Sequence, residues 1–272
     1  MPATKQQLEF LGKLQKKSLK NWKCQCHGCK ETAINSHLLQ RHGVLDNASS
    51  SHRYREVKYR YPVYWFTEKD NYEFKSVGIT EAISYPVFCK KHDSDLFHSI
   101  EIKKPDLDNY NNQLLYCFRT LCAEIRKFEI VLKQWAMIIN PNEELGNGID
   151  VMKVKDITSL FMSKGTFLRK FKDDMIKEMN HPKGLFCFKR FSYPKLDVYA
   201  SAVIEDEEIC LLPNGTRIKQ TICFIHIIPL ENSLEIIVGY PRNLVSVEQQ
   251  NYSDSWGNLD RASLGLMLTD LF

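Results

Sequence analysis

Two pairs of residues near the N-terminus have the spacing of metal ligands. Two residues separate Cys26 from Cys29, and two separate Cys89 from His92. A gap of this length lets a tight turn direct both side chains at one ion, and zinc takes four thiolate or imidazole ligands in a tetrahedron. The sequence therefore predicts a structural zinc bound by Cys26, Cys29, Cys89 and His92, with Cys24 as the alternative to Cys26.

The remaining cysteines indicate a reducing compartment. The chain has nine cysteines, an odd number, and the five outside residues 24–89 stand singly in apolar stretches. Isolated thiols together with one ligand cluster are typical of cytoplasmic proteins rather than of disulfide frameworks. The N-terminus lacks the apolar segment of a secretory signal, and no apolar run is long enough to span a membrane. We therefore expect a cytoplasmic protein without a membrane partner.

The residues between and beside the two ligand pairs carry a family resemblance. His37 ends the short segment AlaIleAsnSerHis, and Asp93 directly follows His92. Over residues 24–100, this order resembles the HNH, or His-Me finger, endonuclease family. In that family a cysteine pair precedes a strand carrying histidine, a second ligand pair opens a helix, and one zinc joins them as a treble clef. The resemblance implies an N-terminal zinc-stabilised treble-clef ββα module.

The resemblance also implies a reaction and two catalytic residues. His37 takes the position of the general base that activates water, and Asp93 that of the ligand holding a magnesium or manganese ion on the scissile phosphate. Ser36 stands where many members have an acidic metal ligand. The implied function is metal-dependent hydrolysis of phosphodiester bonds in nucleic acid, as in a defence-type effector.

A second interpretation remains open at this point. Residues 80–88 lack the asparagine that the family has before its second ligand pair. The alternative is therefore a non-catalytic zinc-binding module that recognises nucleic acid or a protein partner, which includes a second copy of the chain.

Basic residues alternate with aromatic ones from residue 53 to residue 66, a pattern that predicts a strand. Cations at such positions can follow phosphates while neighbouring rings stack on bases. The net charge is only +4, from 37 basic and 33 acidic residues, so contact with nucleic acid, DNA in preference to RNA, must come from local patches. The predicted contact residues of this strand are Arg53, Arg55, Lys58 and Arg60. A second cationic group comprises Lys164, Arg169, Lys170 and Lys172.

Hydrophobic periodicity predicts the elements that position these residues. Helices are expected over residues 5–20, 107–139, 157–179 and 260–272, and a hairpin over 53–66 and 72–79. After residue 184, short β-branched runs alternate with turn residues, and Asn214-Gly215 is a strong hairpin signal. His226, inside one such run, is expected to be a hydrogen-bonded strand histidine rather than a catalytic group.

The length of 272 residues allows one large domain or two ordinary ones. We predict an α+β protein with three parts, namely the zinc-binding HNH-like module at 1–105, a helical segment at 106–183 and a β-rich domain at 184–272. An antiparallel sheet with a closing helix forms the last part. No phosphate-binding glycine loop or dinucleotide fingerprint is present, so nothing supports nucleotide hydrolysis or dinucleotide chemistry.

Overall fold

The protein has a mixed α+β fold, which confirms the predicted class. The computed structural model describes residues 5–38, 53–59, 72–78, 84–102, 104–139, 151–212 and 215–271. Within them the helices are α1 (Lys5–Ser18), α2 (Lys90–Phe97), α3 (Tyr110–Ile139), α4 (Val151–Asn180), α5 (Val247–Ser255) and α6 (Arg261–Leu271). The strands are β1 (Asn35–His37), β2 (Arg53–Tyr59), β3 (Tyr72–Gly78), β4 (Ser84–Pro86), β5 (Phe186–Pro194), β6 (Ala200–Leu212), β7 (Gly215–Pro229) and β8 (Ser233–Pro241).

Two compact units divide the chain. The first comprises the described parts of Met1–Leu38, Arg53–Leu96 and Leu121–Asp173, and the second those of Phe97–Thr120 and Asp174–Phe272. Each unit thus takes a stretch of α3 and a stretch of α4. The predicted division into three successive segments remains a prediction.

In the first unit, α1 packs on the C-terminal part of α3. Leu14 of α1 is buried with Trp135 and Ile138 of α3. The Gln134 amide donates a hydrogen bond of 3.0 Å to the Ser18 hydroxyl at the end of α1. The predicted N-terminal helix is confirmed, and it ends at Ser18 rather than at residue 20.

Two short antiparallel ladders complete the first unit. β1 pairs with β4, with Ser36 opposite Tyr85 and His37 opposite Ser84. β2 pairs with β3 from Arg53 opposite Gly78 to Tyr59 opposite Tyr72, which confirms the predicted hairpin. The expected continuation of its strands beyond residue 59 lies outside the described residues.

The second unit is built on a four-stranded antiparallel sheet in the order β5-β8-β7-β6, as the β-rich sequence predicts. One face packs against α5 and α6, where Trp256, Leu264 and Leu268 are buried. Strands β6 and β7 pair as far as Leu212 opposite Gly215, which confirms the predicted hairpin. No described helix combines the length and the apolar character needed to cross a membrane.

Candidate metal centre

Three cysteines and one histidine converge in the first unit. The sulfur atoms of Cys24, Cys29 and Cys89 and a ring nitrogen of His92 all lie within 4.8 Å of one another. The Cys29 and Cys89 sulfurs are 3.9 Å apart. Nδ1 of His92 lies 3.4 Å from the Cys24 sulfur and 3.2 Å from the Cys89 sulfur. The four ligand-type atoms are therefore close enough together to bind one metal ion.

These separations fit a tetrahedral zinc site. With Zn–S bonds of about 2.3 Å and Zn–N bonds of about 2.0 Å, a tetrahedron places two thiolates about 3.8 Å apart and a thiolate and an imidazole nitrogen about 3.5 Å apart. The observed distances of 3.9, 3.4 and 3.2 Å lie close to both values. A disulfide needs sulfurs about 2.05 Å apart, so the Cys29 and Cys89 thiols are free. The donor set can accordingly bind zinc.

A tight turn of the backbone carries two of the ligands. The amide of Cys24 donates to the carbonyl oxygen of Glu31 at 2.9 Å, which closes the base of the turn. Near its tip the amide of Cys29 donates to the carbonyl oxygen of Cys26 at 3.1 Å. Between them Gly28 has a φ of 72°, a left-handed conformation that glycine adopts without the steric cost of a Cβ. The fold of this turn brings Cys24 and Cys29 together.

Backbone hydrogen bonds join this turn to the segment that supplies the other two ligands. The amide of Gln25 donates to the carbonyl oxygen of Val87 at 3.0 Å, and that of Ile34 to Phe88 at 2.8 Å. Val87 and Phe88 are fully buried and directly precede Cys89. The two halves of the cluster are thus held together by backbone contacts as well as by their side chains.

Helix α2 orients the second half. The amide of Asp93 donates to the carbonyl oxygen of Cys89 at 2.9 Å, so Cys89 immediately precedes the helix and His92 lies one turn later. Residues three apart on a helix share a face. The backbone N–H of His92 lowers the pKa of the Cys89 thiol, because donors at a helix N-terminus favour the thiolate. The helix start therefore favours the metal-binding form of this cysteine.

The cluster contains Cys24, the alternative of the sequence prediction, while Cys26 is not among its members. Cys24 lies at the base of the turn, and Cys26 lies within it, where its carbonyl oxygen binds Cys29. Burial raises the pKa of the Cys26 thiol to about 12, and the neighbouring Cys24 thiol adds to the effect. The geometry selects Cys24, because its sulfur lies beside the other three ligand atoms. The other predicted ligands, Cys29, Cys89 and His92, all belong to the cluster.

The two predicted catalytic residues lie on the elements next to the cluster. His37 ends β1 and is half-buried, and Asp93 lies half-buried in the first turn of α2. Neighbouring residues of a strand point to opposite faces, so Ser36 faces away from the His37 side. Ser36 is buried, and its hydroxyl accepts a 3.2 Å hydrogen bond from the amide of Phe88. The catalytic roles of His37 and Asp93 remain predictions.

The predicted nucleic-acid contacts lie partly within the described residues. Arg53, Arg55 and Lys58 belong to β2, and Arg60 lies outside the described part of the chain. Positions 53 and 55 fall on one face of β2 and position 58 on the other, because a strand alternates its faces. A shared nucleic-acid surface on this hairpin remains a prediction.

Two members of the second cationic group have partners within the protein. Arg169 forms a 3.2 Å ion pair with Glu129 of α3. Lys172 donates a 3.1 Å hydrogen bond to the carbonyl oxygen of Gln25 in the metal-binding turn. The contacts show that this part of α4 supports the first unit.

Arg126 is a residue near the metal centre that the sequence prediction missed. It is 3% exposed, and its guanidinium donates a 2.6 Å hydrogen bond to the carbonyl oxygen of Lys23. The same group lies 4.3 Å from the centre of the Trp22 ring and 3.1 Å from a carboxylate oxygen of Glu129. The sequence does contain a sign of this role. Arg126 lies four residues after Cys122 on the apolar stripe of α3, and a charged residue at a buried position needs a partner.

Comparison with known proteins finds no matching family model, no similar curated protein and no similar solved structure. Function is therefore inferred from the residues and geometry of the chain.

Proposed function

We propose that this protein is a zinc-stabilised, HNH-like endonuclease that hydrolyses phosphodiester bonds in nucleic acid. The observation that carries the proposal is the convergence of Cys24, Cys29, Cys89 and His92 within 4.8 Å. A zinc bound there would fix the turn before β1 to the start of α2. These are the strand that carries His37 and the helix that carries Asp93.

The order of elements supports the same proposal. A ligand-bearing turn is followed by β1, by its antiparallel partner β4 and then by α2. Cys89 immediately precedes α2, and His92 lies in its first turn. This is the order of a treble-clef ββα module, in which the zinc takes the place of a larger core. We infer that residues 24–97 form such a module, with β2 and β3 inserted between its two strands.

The residues would divide the chemistry as follows. The His37 imidazole takes the proton of the attacking water, a role that histidine fills near neutral pH. The Asp93 carboxylate supplies an oxygen ligand of the kind that magnesium and manganese prefer. Such an ion, when bound, polarises the scissile phosphate and stabilises the charge that develops on it. Zinc is structural in this scheme, because protein ligands fill all four of its positions.

A cleavage assay with matched variants tests the proposal. The full-length protein is incubated with plasmid DNA and with RNA, in magnesium or manganese, beside the His37→Ala and Asp93→Ala variants. We expect His37→Ala to reduce the cleavage rate by at least about 100-fold, the usual contribution of a general base. We expect Asp93→Ala to reduce it as well, because the magnesium or manganese ion loses an oxygen ligand. The controls are His27→Ala in the turn and Asp95→Ala on α2, which remove exposed residues of the same types.

Two outcomes would contradict the catalytic proposal. The first is a parent protein that leaves DNA and RNA intact with either ion. The second is cleavage that persists equally in His37→Ala and in His27→Ala. Zinc content, measured on every variant, shows that the module is still folded when activity is lost.

One observation favours the second candidate, a non-catalytic zinc-binding module. Ser36 stands at the position of an acidic ligand in many family members, and here its buried hydroxyl binds the amide of Phe88. For this candidate we expect binding of duplex DNA that weakens with salt, through Arg53, Arg55, Lys58 and Arg60, without cleavage. A protein partner or a second copy of the chain is the alternative target if nucleic acid does not bind.

A reducing, cytoplasmic location fits either candidate. The cysteines whose side chains are described carry free thiols, and a zinc held by three thiolates is sensitive to oxidation.

A further inference from the structure

Basic side chains from α3 and α4 bind the backbone on both sides of Cys24. Arg126 donates to the carbonyl oxygen of Lys23, the residue before Cys24, at 2.6 Å. Lys172 donates to the carbonyl oxygen of Gln25, the residue after it, at 3.1 Å. Both cations therefore contact the chain next to a candidate metal ligand, although they lie more than 100 positions away in sequence.

We propose that Arg126 and Lys172 are positioning residues of the metal centre, which fix Cys24 rather than Cys26 as its fourth ligand. Their positive charge also balances the thiolates. The inference rests on the zinc site proposed above and is independent of nuclease activity.

The backbone contacts explain the choice between the two cysteines. Besides its carbonyl, Gln25 uses its amide N–H to bind Val87, and its side-chain amide donates to the carbonyl oxygen of Cys122 at 3.2 Å. Cys24 itself donates to Glu31. Arg126 and Val87 thus hold the peptide groups before and after Cys24 from outside the turn, and Lys172 holds the next peptide group. These contacts fix the backbone on both sides of the Cys24 side chain. Metal binding by a side chain that is already oriented costs less conformational entropy than binding by a mobile one.

Charge gives a second reason for two cations at this place. A zinc dication bound by three thiolates and a neutral imidazole leaves one net negative charge. A buried charge needs a partner, and the buried guanidinium of Arg126 contacts the residue before Cys24. Glu129 pairs with both Arg126 and Arg169. Together with Lys172, these side chains carry more positive than negative charge.

Arginine suits its position better than lysine. Its planar fork binds the carbonyl of Lys23 and the carboxylate of Glu129 while its face lies on the Trp22 ring. A lysine ammonium cannot make these three contacts together. The Arg126→Lys variant should therefore keep the charge and lose part of the orientation.

Metal-binding measurements on three variants test the inference. Arg126→Met and Lys172→Met remove the proposed positioning residues. Lys133→Met is the matched control, because Lys133 donates to the Lys20 carbonyl at 2.9 Å and lies 4.8 Å from the Trp22 ring. These contacts are two or more residues before Cys24, whereas Arg126 and Lys172 bind the residues directly beside it. We expect Arg126→Met and Lys172→Met to weaken zinc affinity by about 10- to 100-fold, as outer-shell changes do, and Lys133→Met to leave it unchanged.

A spectroscopic test addresses the choice of ligand. With cobalt in place of zinc, Cys26→Ser should leave the thiolate charge-transfer bands of the otherwise native protein unchanged, and Cys24→Ser should weaken them. In the double variant that carries both Arg126→Met and Lys172→Met, we expect Cys26→Ser to alter the bands. The turn is then no longer held in place, so either Cys24 or Cys26 can bind the metal. Unchanged bands in that background would contradict the proposed selection of Cys24.

The outcomes separate the inference from the zinc site itself. A native protein that binds no zinc would overturn the metal centre. A native protein that binds zinc, with Arg126→Met and Lys172→Met matching Lys133→Met in affinity, would overturn the positioning role alone. If Arg126→Met does not fold, Arg126→Lys and Lys172→Met give the same comparison, and a native affinity in both contradicts the inference.

Discussion

His226 shows how one buried residue can depend on a single protonation state. It lies in β7 with 1% exposure, and its Nδ1 is 2.9 Å from the Ser201 hydroxyl. Its Nε2 is 3.4 Å from the Cys117 sulfur. These contacts confirm the predicted strand histidine with satisfied hydrogen bonds. Burial lowers the pKa of His226 to about 3, because no counter-charge accompanies the ring among these partners.

The lowered pKa predicts a loss of stability in mild acid. Below an unfolded-state pKa of about 6.5 the unfolded chain binds a proton at His226 that the native protein excludes down to about pH 3. The free energy of unfolding should therefore fall as pH falls through this range, by up to about 1.4 kcal/mol per pH unit from this residue. Urea unfolding at pH 7, 6 and 5 measures the slope.

The His226→Gln variant provides the comparison. It removes the titrating group, so its stability should start lower at pH 7 and decline less steeply toward pH 5. Over that range Glu178 stays ionised: burial raises its pKa, but the Tyr110 hydroxyl and three backbone amides outweigh burial and lower it. Parallel stability curves for the two proteins would contradict the assignment to His226.

Sequence spacing locates the metal centre at the residue scale but does not choose between Cys24 and Cys26. Three of the four predicted ligands lie in the cluster, because short-range ligand pairs are set by local turns. The fourth depends on Arg126 and Lys172, whose contacts with the turn arise only from tertiary packing. No pattern between residues 22 and 33 contains that information.

Helix α5 is an element that hydrophobic periodicity does not predict. The only large apolar residues of α5 are Val247 and Tyr252, which lie five positions apart. No apolar spacing of three and four residues therefore marks this segment as a helix. Its start is instead defined by a capping box. The Ser246 hydroxyl accepts from the amide of Gln249 at 3.1 Å, and the Gln249 side chain accepts from the amide of Ser246 at 3.3 Å. The spacing of serine and glutamine was the available signal.

Removing the cap should destabilise this element measurably. Ser246 is 3% exposed, so Ser246→Ala leaves the buried amide of Gln249 without its acceptor. We expect a loss of about 0.5–2 kcal/mol in the free energy of unfolding, measured by urea denaturation. Ser255→Ala, at the exposed end of the same helix, should cost less than about 0.5 kcal/mol. Equal losses in both variants would show that the cap does not stabilise α5.

The longer elements were predictable because each buries a regular apolar face. The predicted helices at 107–139 and 260–272 correspond to α3 and α6, and the β-rich sequence after residue 184 forms the antiparallel sheet. Boundaries shifted where local caps act: the Asn109 side chain accepts from the amide of Asn112, so α3 begins at Tyr110 rather than at residue 107. Helix α4 begins at Val151, earlier than the predicted residue 157.

At the scale of the whole molecule, zinc removal should lower stability, because the ligands lie at both ends of a long stretch of chain. Cys24 and His92 are brought together only in the folded protein, so zinc binds the native state in preference to the unfolded one. A ligand present at about 1,000 times its dissociation constant stabilises by about 4 kcal/mol. We therefore expect a strong chelator to lower the midpoint of thermal unfolding and added zinc to restore it.

Two cysteine variants show whether this stabilisation comes from the proposed centre. Cys89→Ser removes a ligand and should make the unfolding midpoint insensitive to the chelator. Cys187→Ser removes a half-buried thiol of β5 outside the cluster and should leave the response to the chelator intact. A chelator response that survives Cys89→Ser would place the zinc elsewhere.

The register of the β1–β4 ladder affects how freely the protein can vary. The chain leaves β1 at His37 and returns to β4 at Ser84, and these two residues lie directly opposite each other. Because the two residues are neighbours in space, the segment that joins them needs no particular length. The entropic cost of closing a longer segment grows only with the logarithm of its length. The β1–β4 pairing therefore sets only a small entropic cost on a change in the length of the connection between His37 and Ser84.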